Sequence, residues 1–180
     1  DMAFLRLGTA GGLHPKTNVG DFVITTNVDR RESTSDKIMG PLYTARASPE
    51  AVSILTAVAN ELKQPIQQVH VGPSMVTDEL YFFNQWLQNR YAGNEELRQA
   101  EIPDVLAVSM EFSVICALRD RYNMDFDKNI KTGNLLAISD VPLSTEDRVD
   151  QTGFEGLMEL VENVQIRTGL ETLAWLNQQR

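Results

Sequence analysis

Three ionisable side chains stand where an apolar chain would be cheaper to fold. Arg6 lies in the otherwise apolar run Ala3 to Leu7 and is followed by Gly8-Thr9-Ala10-Gly11-Gly12. Arginine offers a planar fork of donors that suits phosphate. Glycines let a backbone turn tightly and approach a ligand, and such a turn can present N–H groups to an anion. No Gly-Lys-Ser/Thr follows, so this is not the phosphate loop of nucleotide hydrolases. Pairing with a carboxylate, or pointing to solvent, is the plain alternative for Arg6. Glu111 stands between the apolar runs Val105–Val108 and Phe112 onward. An unpaired buried carboxylate is costly, so it needs donors, which a polyhydroxylated ligand would supply. The competing reading is a glutamate at a helix start, favoured by the dipole. Asp140 closes the run Leu136-Ala-Ile-Ser139 just before Pro142 and can equally cap that turn.

These residues need elements to hold them. Strands are predicted at Ala3–Leu7, Phe22–Thr26, Ile66–Val71, Val105–Val108 and Asn134–Ser139. Helices are predicted at Pro49–Leu62, with Ser48 as N-cap and Pro49 at the first helical position, at Asn94–Gln99, from Phe112 onward, and at Phe154–Leu176. Asp29–Pro41, Tyr122–Lys131 and Pro142–Gly153 read as polar connections, and the aromatic run Tyr81-Phe-Phe-Asn-Gln-Trp86 as core, flap or subunit contact. Strands alternating with helices predict a three-layer α/β/α domain around a central mixed sheet. Ligand sites in such folds form at the carboxyl ends of strands, where Arg6–Gly12, Met110–Glu111 and Asp140 all fall.

The chain has 180 residues and is expected to be one domain. Its net charge of -9 argues against a nucleic-acid partner. The single cysteine, Cys116, cannot form an internal disulfide, reads as a small core residue, and fits a reducing, cytoplasmic setting. No stretch is apolar enough to predict a membrane span. His14 and His70 have no metal-ligand spacing, so no metal is expected. The opening Asp1-Met-Ala-Phe-Leu reads as the lead-in to an internal strand, so an N-terminal part is expected to precede it.

Taken in order, Arg6-Leu-Gly-Thr-Ala-Gly-Gly12 with Val19-Gly-Asp-Phe-Val-Ile24, Ser109-Met-Glu111, and Leu136-Ala-Ile-Ser-Asp140 resemble the nucleoside phosphorylase superfamily across nearly the whole chain. This superfamily includes purine nucleoside and uridine phosphorylases and related nucleosidases. The resemblance implies that residues 1–180 are the C-terminal portion of a phosphorylase-like catalytic domain. It implies phosphate as co-substrate and no cofactor, with Arg6, Gly8 and Thr9 holding the phosphate. Met110 and Glu111 would bind ribose, and Asp140 would contact the base and act as the catalytic acid at purine N7. Tyr81 is a further expected base contact. For Asp140 to donate a proton, apolar surroundings such as Leu136 and Ile138 are expected to raise its pKa.

The resemblance is incomplete in two places. Ser109 replaces the first glutamate of the family's Glu-Met-Glu motif, and the family's first phosphate loop does not occur in this chain. Uridine phosphorylases clamp uracil with a Gln and an Arg; Gln85 can match the first, but Leu87 falls where the Arg belongs, which favours a purine. The tail from Thr132 to Leu173, notably Ser139–Leu143 and Gln165–Gly169, looks closest to AMP nucleosidases, which use water in place of phosphate but usually lack an arginine at the position of Arg6. A purine nucleoside phosphorylase is therefore the leading expectation. A nucleosidase, a uridine phosphorylase and a non-catalytic nucleoside-binding homologue are the alternatives. The resemblance also implies a homo-oligomer, a dimer or trimer of dimers, with Tyr81–Trp86 and the segment around Arg30 as candidate contacts.

Overall fold

Phe22-Val-Ile24 is buried at every residue, and so is Leu135-Leu-Ala-Ile138. A strand that exposes one face to water alternates apolar and polar residues; a continuous apolar run is a strand covered on both faces. The computed structural model shows what covers them. It describes residues 2–91, 93–143 and 151–178, without the side chains at 80–84 and 151–154. Five strands, β1 (Ala3–Gly12), β2 (Phe22–Arg31), β3 (Val69–Thr77), β4 (Ala107–Ser109) and β5 (Lys131–Asp140), close into a barrel in the order β1-β4-β3-β2-β5. Val23, Leu136 and Ile138 meet Ala10, Leu106 and Ala107 inside it. Phe22, Ile24, Leu135 and Ala137 face outward, under α2 (Pro49–Leu62) and α6 (Gln151–Gln178).

The sheet is mixed, as expected. β1–β5, β2–β3 and β3–β4 are parallel, whereas β1–β4 and β2–β5 are antiparallel. Its closure was not foreseen. The pairing slips between Ala10 and Gly11 and again between Thr25 and Val28. Irregularities of this kind bend and coil a strand, and coiling is what lets so few strands meet their own edge. The helices α3 (Leu80–Tyr91) and α4 (Glu95–Glu101) belong to one flank. There Leu87, Tyr91 and Ile102 pack on Leu13, Met75 and Val108. Another flank is held by α5 (Phe112–Phe126), whose Phe112 and Cys116 pack on Val28, Ala45 and Val76. Among the described residues no helix is long and apolar enough to cross a membrane.

Several boundaries differ from the sequence reading. Asp29–Pro41 is not all loop: β2 runs on to Arg31, and a short helix α1 (Thr34–Met39) follows. Arg30 is the reason, because its guanidinium is drawn inward to Ser35, Asp36 and the carbonyl of Pro41. α5 reaches Phe126 and stops at Asp127, which adopts the left-handed conformation. Ile66 is exposed and precedes β3. The aromatic run 81–86 is helical, within α3. Ser48 does stand at the N-cap of α2, with Pro49 following, but its hydroxyl caps nothing. It accepts from the Thr132 amide at 2.9 Å and from Arg119 at 3.2 Å, tying the helix start to β5.

Candidate active site

On β1 the side chains of residues 6, 8 and 10 share a face by strand alternation. Gly8 leaves that face bare, and the Arg6 side chain folds across it. A Cβ on Gly8 would lie 2.9 Å from Arg6 Nη2 and 3.0 Å from Cζ. What lies against Gly8 here is the guanidinium of Arg6. From behind, α6 steadies the same point: buried Gln165 donates at 2.8 Å to the carbonyls of both Gly8 and Leu135.

The guanidinium has two partners of opposite character. Nη1 donates to Asn134 Oδ1 at 3.2 Å, and Asn134 is wholly buried opposite Arg6 in the β1–β5 register. Nη2 forms an ion pair with Glu111 Oε2. Arg6 is 13% exposed and the Glu111 side chain 55%. Glu111 sits at the N-cap of α5 yet makes no side-chain cap hydrogen bond. Its carboxylate turns back to Arg6 and to the amide of Met110, at 3.3 Å. The plain alternatives are present in the structure: a carboxylate partner for Arg6, and a half-exposed Glu111 at the start of a helix. Arg6 does pair with a carboxylate, and that carboxylate is Glu111, the other predicted site residue.

The antiparallel course of β4 explains the meeting. Gly12 opposes Ala107 and Gly11 opposes Val108. Continued past Ser109, that register brings Glu111 level with Gly8. Asp140, by contrast, opposes Gly11. The two carboxylates therefore flank β1 on opposite sides, Glu111 following β4 and Asp140 ending β5. Asp140 is exposed, and its described partner is the Ser139 hydroxyl at 3.1 Å, which in turn reaches the Ala10 carbonyl. Leu136 and Ile138 are buried inside the barrel and do not enclose it, contrary to the apolar setting expected for Asp140. Ser139 has no partner in the β1 ladder, because the register slips there.

Other predicted residues are placed less tightly. Thr9 is exposed and, by alternation, on the face opposite Arg6 and Gly8. Among the described residues the structure does not bring its hydroxyl to the guanidinium. Met110 is exposed beside Glu111. The Tyr81 side chain lies outside the described residues. Leu87 is buried in the core, and Gln85 on the same helix is exposed. Cys116 is buried, its thiol directed at the Arg46 carbonyl; burial pushes the thiol up to about 12, which suits a packing residue. Among the described residues no group of three or more His, Cys, Asp or Glu could hold a metal ion.

Sequence reasoning missed Asn134, Thr25 and Ser74. All three are wholly buried. The signal was present but faint: asparagine is depleted in strands, and here it heads an apolar one.

The phosphorylase superfamily model matches residues 1–168. The chain belongs to the phosphorylase superfamily. It is 27% identical over 157 residues to a guanosine phosphorylase of Halorubrum lacusprofundi, covering 82% of this chain and 60% of that protein. A uridine phosphorylase of Haemophilus influenzae is 36% identical over 78 residues, 43% of this chain and 30% of that one. The solved structure of the P knowlesi homolog of P falciparum PNP superposes with a TM-score of 0.70 at 24% identity, covering 99% of this chain and 64% of its own. The chain thus spans about three fifths of the first relative's length, and the structural likeness establishes the fold.

Proposed function

We propose that this chain supplies the catalytic part of a nucleoside phosphorylase. The reaction cleaves the N-glycosidic bond of a purine nucleoside with phosphate, giving the free base and ribose 1-phosphate. The observation that carries this reading is the guanidinium of Arg6 laid over Gly8 and joined to Glu111.

The chemistry follows from where charge develops. As the bond breaks, the ribose becomes positive and the base negative. Phosphate held by Arg6 stabilises the ribose and then attacks its anomeric carbon. Glu111 accepts hydrogen bonds from the ribose hydroxyls, which strengthen in the transition state, and Met110 packs against the sugar. Asp140 protonates or hydrogen-bonds purine N7, a contribution of about 10²–10⁴-fold for general acid catalysis. Thr9 and Tyr81 are further expected contacts, to phosphate and base.

Two observations bear on the base. The matched relatives include uridine phosphorylases as well as a guanosine phosphorylase. Against a pyrimidine, Leu87 is buried in the core and offers no donor for uracil. A hydrolytic, nucleosidase-like reaction is less favoured because Arg6 places a guanidinium, a donor suited to phosphate, over Gly8. Assembly into a homo-oligomer is supported by exposed Leu118, Tyr122 and Phe126, which share one face of α5.

The test is cleavage of guanosine, inosine, adenosine and uridine with and without phosphate. Phosphate-dependent release of a purine is expected. Unchanged rates without phosphate would establish hydrolysis instead, and preferential release of uracil would overturn the purine assignment. Nucleoside binding without turnover would mark a non-catalytic homologue.

A further inference from the structure

We propose that Asn134 is the positioning residue for the Arg6 guanidinium, acting as the middle of a buried, one-way hydrogen-bond relay. The inference rests on the reading of Arg6 as an anion-binding residue. Arg6 Nη1 donates to Asn134 Oδ1 at 3.2 Å, Asn134 Nδ2 donates to Thr25 Oγ1 at 2.8 Å, and the Thr25 hydroxyl donates to Ser74 Oγ at 3.1 Å. The relay passes from β1 to β5 to β2 to β3, following neighbouring strands around the barrel.

Its direction is forced. A guanidinium only donates, so Asn134 must turn its oxygen to Arg6 and its amino group away. That amino group, in a wholly buried side chain, requires an acceptor, and Thr25 Oγ1 is the one within reach. Having accepted from Asn134, the Thr25 hydroxyl spends its proton on Ser74. Flipping the Asn134 amide would set its amino group against the Arg6 guanidinium, two donors face to face between buried groups. Elsewhere the inside of the barrel is filled by Ala10, Val23, Leu136 and Ile138 at no polar cost.

The consequence is a division of labour around one guanidinium. Asn134 holds one edge and is buried; Glu111 holds the other and is half exposed. An incoming anion can therefore take the Glu111 side while the Asn134 side keeps the guanidinium aimed.

The experiment is titration of the full chain with inorganic phosphate, by calorimetry, for the parent, Asn134→Ala, Thr25→Val and Thr25→Ser. Circular dichroism and thermal melts check that each is folded. Thr25→Val preserves shape and removes the acceptor, leaving the charge of Arg6 untouched. Phosphate Kd is expected to rise about tenfold in Asn134→Ala and severalfold in Thr25→Val. Thr25→Ser, which keeps the hydroxyl, is expected to bind as the parent does, and neither damaging change is expected to weaken binding further in an Arg6→Ala background. A purely structural asparagine would lower the melting temperature without this pattern. Phosphate binding by the parent that is unchanged in both damaging variants would overturn the relay and leave the Arg6 reading intact. No phosphate binding by the parent would overturn the anion reading and the relay with it. If Asn134→Ala does not fold, the Val and Ser variants of Thr25 decide the matter.

Discussion

Glu111 and an anion cannot both occupy the same edge of Arg6, so Glu111→Gln is expected to tighten phosphate binding. The amide keeps the shape of the side chain and removes its charge. How much this matters depends on solvent. A hydrogen bond to a charged group can contribute about 1.5–3 kcal/mol when sheltered, but exposed ion pairs measure about 0.2–1 kcal/mol. Glu111 is 55% exposed against 13% for Arg6, so the lower range applies. Releasing about 1 kcal/mol of competition corresponds to roughly fivefold in Kd. Calorimetric titration with phosphate at low ionic strength reads this directly, and the gain is expected to shrink as salt screens the pair. In the Arg6→Ala background Glu111→Gln is expected to change nothing. Turnover moves the other way, because the ribose loses its charged acceptor. Weaker phosphate binding by Glu111→Gln would refute the reasoning, since it would mean that the carboxylate assists the anion.

Three further changes test other parts of the site and scaffold. Gly8→Ala places a methyl 2.9 Å from Arg6 Nη2, so phosphate affinity is expected to fall severalfold by calorimetry. Its melting temperature is expected to hold, because a flexible side-chain end can move aside. Asp140→Asn retains a hydrogen bond to N7 but no proton; kcat/KM is expected to fall about 10²–10⁴-fold on inosine and far less on 7-methylguanosine, already charged at N7. Equal losses would leave Asp140 as a turn residue. Asp21 is buried, which raises its pKa, but hydrogen bonds from His70, Gln68 and Asn18 outweigh burial and hold the carboxyl below its ordinary value. Its stabilisation is therefore full above the ordinary carboxylate range and is lost as pH falls through the lowered value. Asp21→Asn is expected to cost about 1–3 kcal/mol at pH 7 in urea melts, with the gap to the parent closing below about pH 4; a gap independent of pH would be the contrary result.

The charged candidates were legible one by one, because a charge in an apolar run is conspicuous, whereas buried Asn134, Thr25 and Ser74 were not. Arg6 and Glu111 could be read that way, but their pairing could not. It depends on β4 running antiparallel to β1, and three residues of strand carry no sign of direction. Barrel closure was hidden for a similar reason: register slips at Ala10 and Thr25 are properties of pairing, and periodicity reports only one strand at a time. Runs such as Phe22–Ile24 announced burial on both faces but not whether the second cover was a helix layer or the far wall of a barrel. Arg30 reads as a loop residue because a charged run reads as solvated, whereas its partners Ser35 and Asp36 draw the segment into a helical turn.

The barrel also dictates when the site comes into being. Arg6 and Glu111 are 105 residues apart in sequence, and Arg6 and Asn134 are 128 apart. The guanidinium, its carboxylate partner and its buried amide partner come from three segments far apart in sequence, so the complete arrangement forms only once β5 has been synthesised and docked. Contacts this distant are bought with loop-closure entropy late in folding. A chain caught before closure offers phosphate nothing that the unfolded chain does not. Phosphate should then slow unfolding without hastening the early steps of refolding, and recovery of phosphate binding should trail the return of helical signal in a stopped-flow experiment.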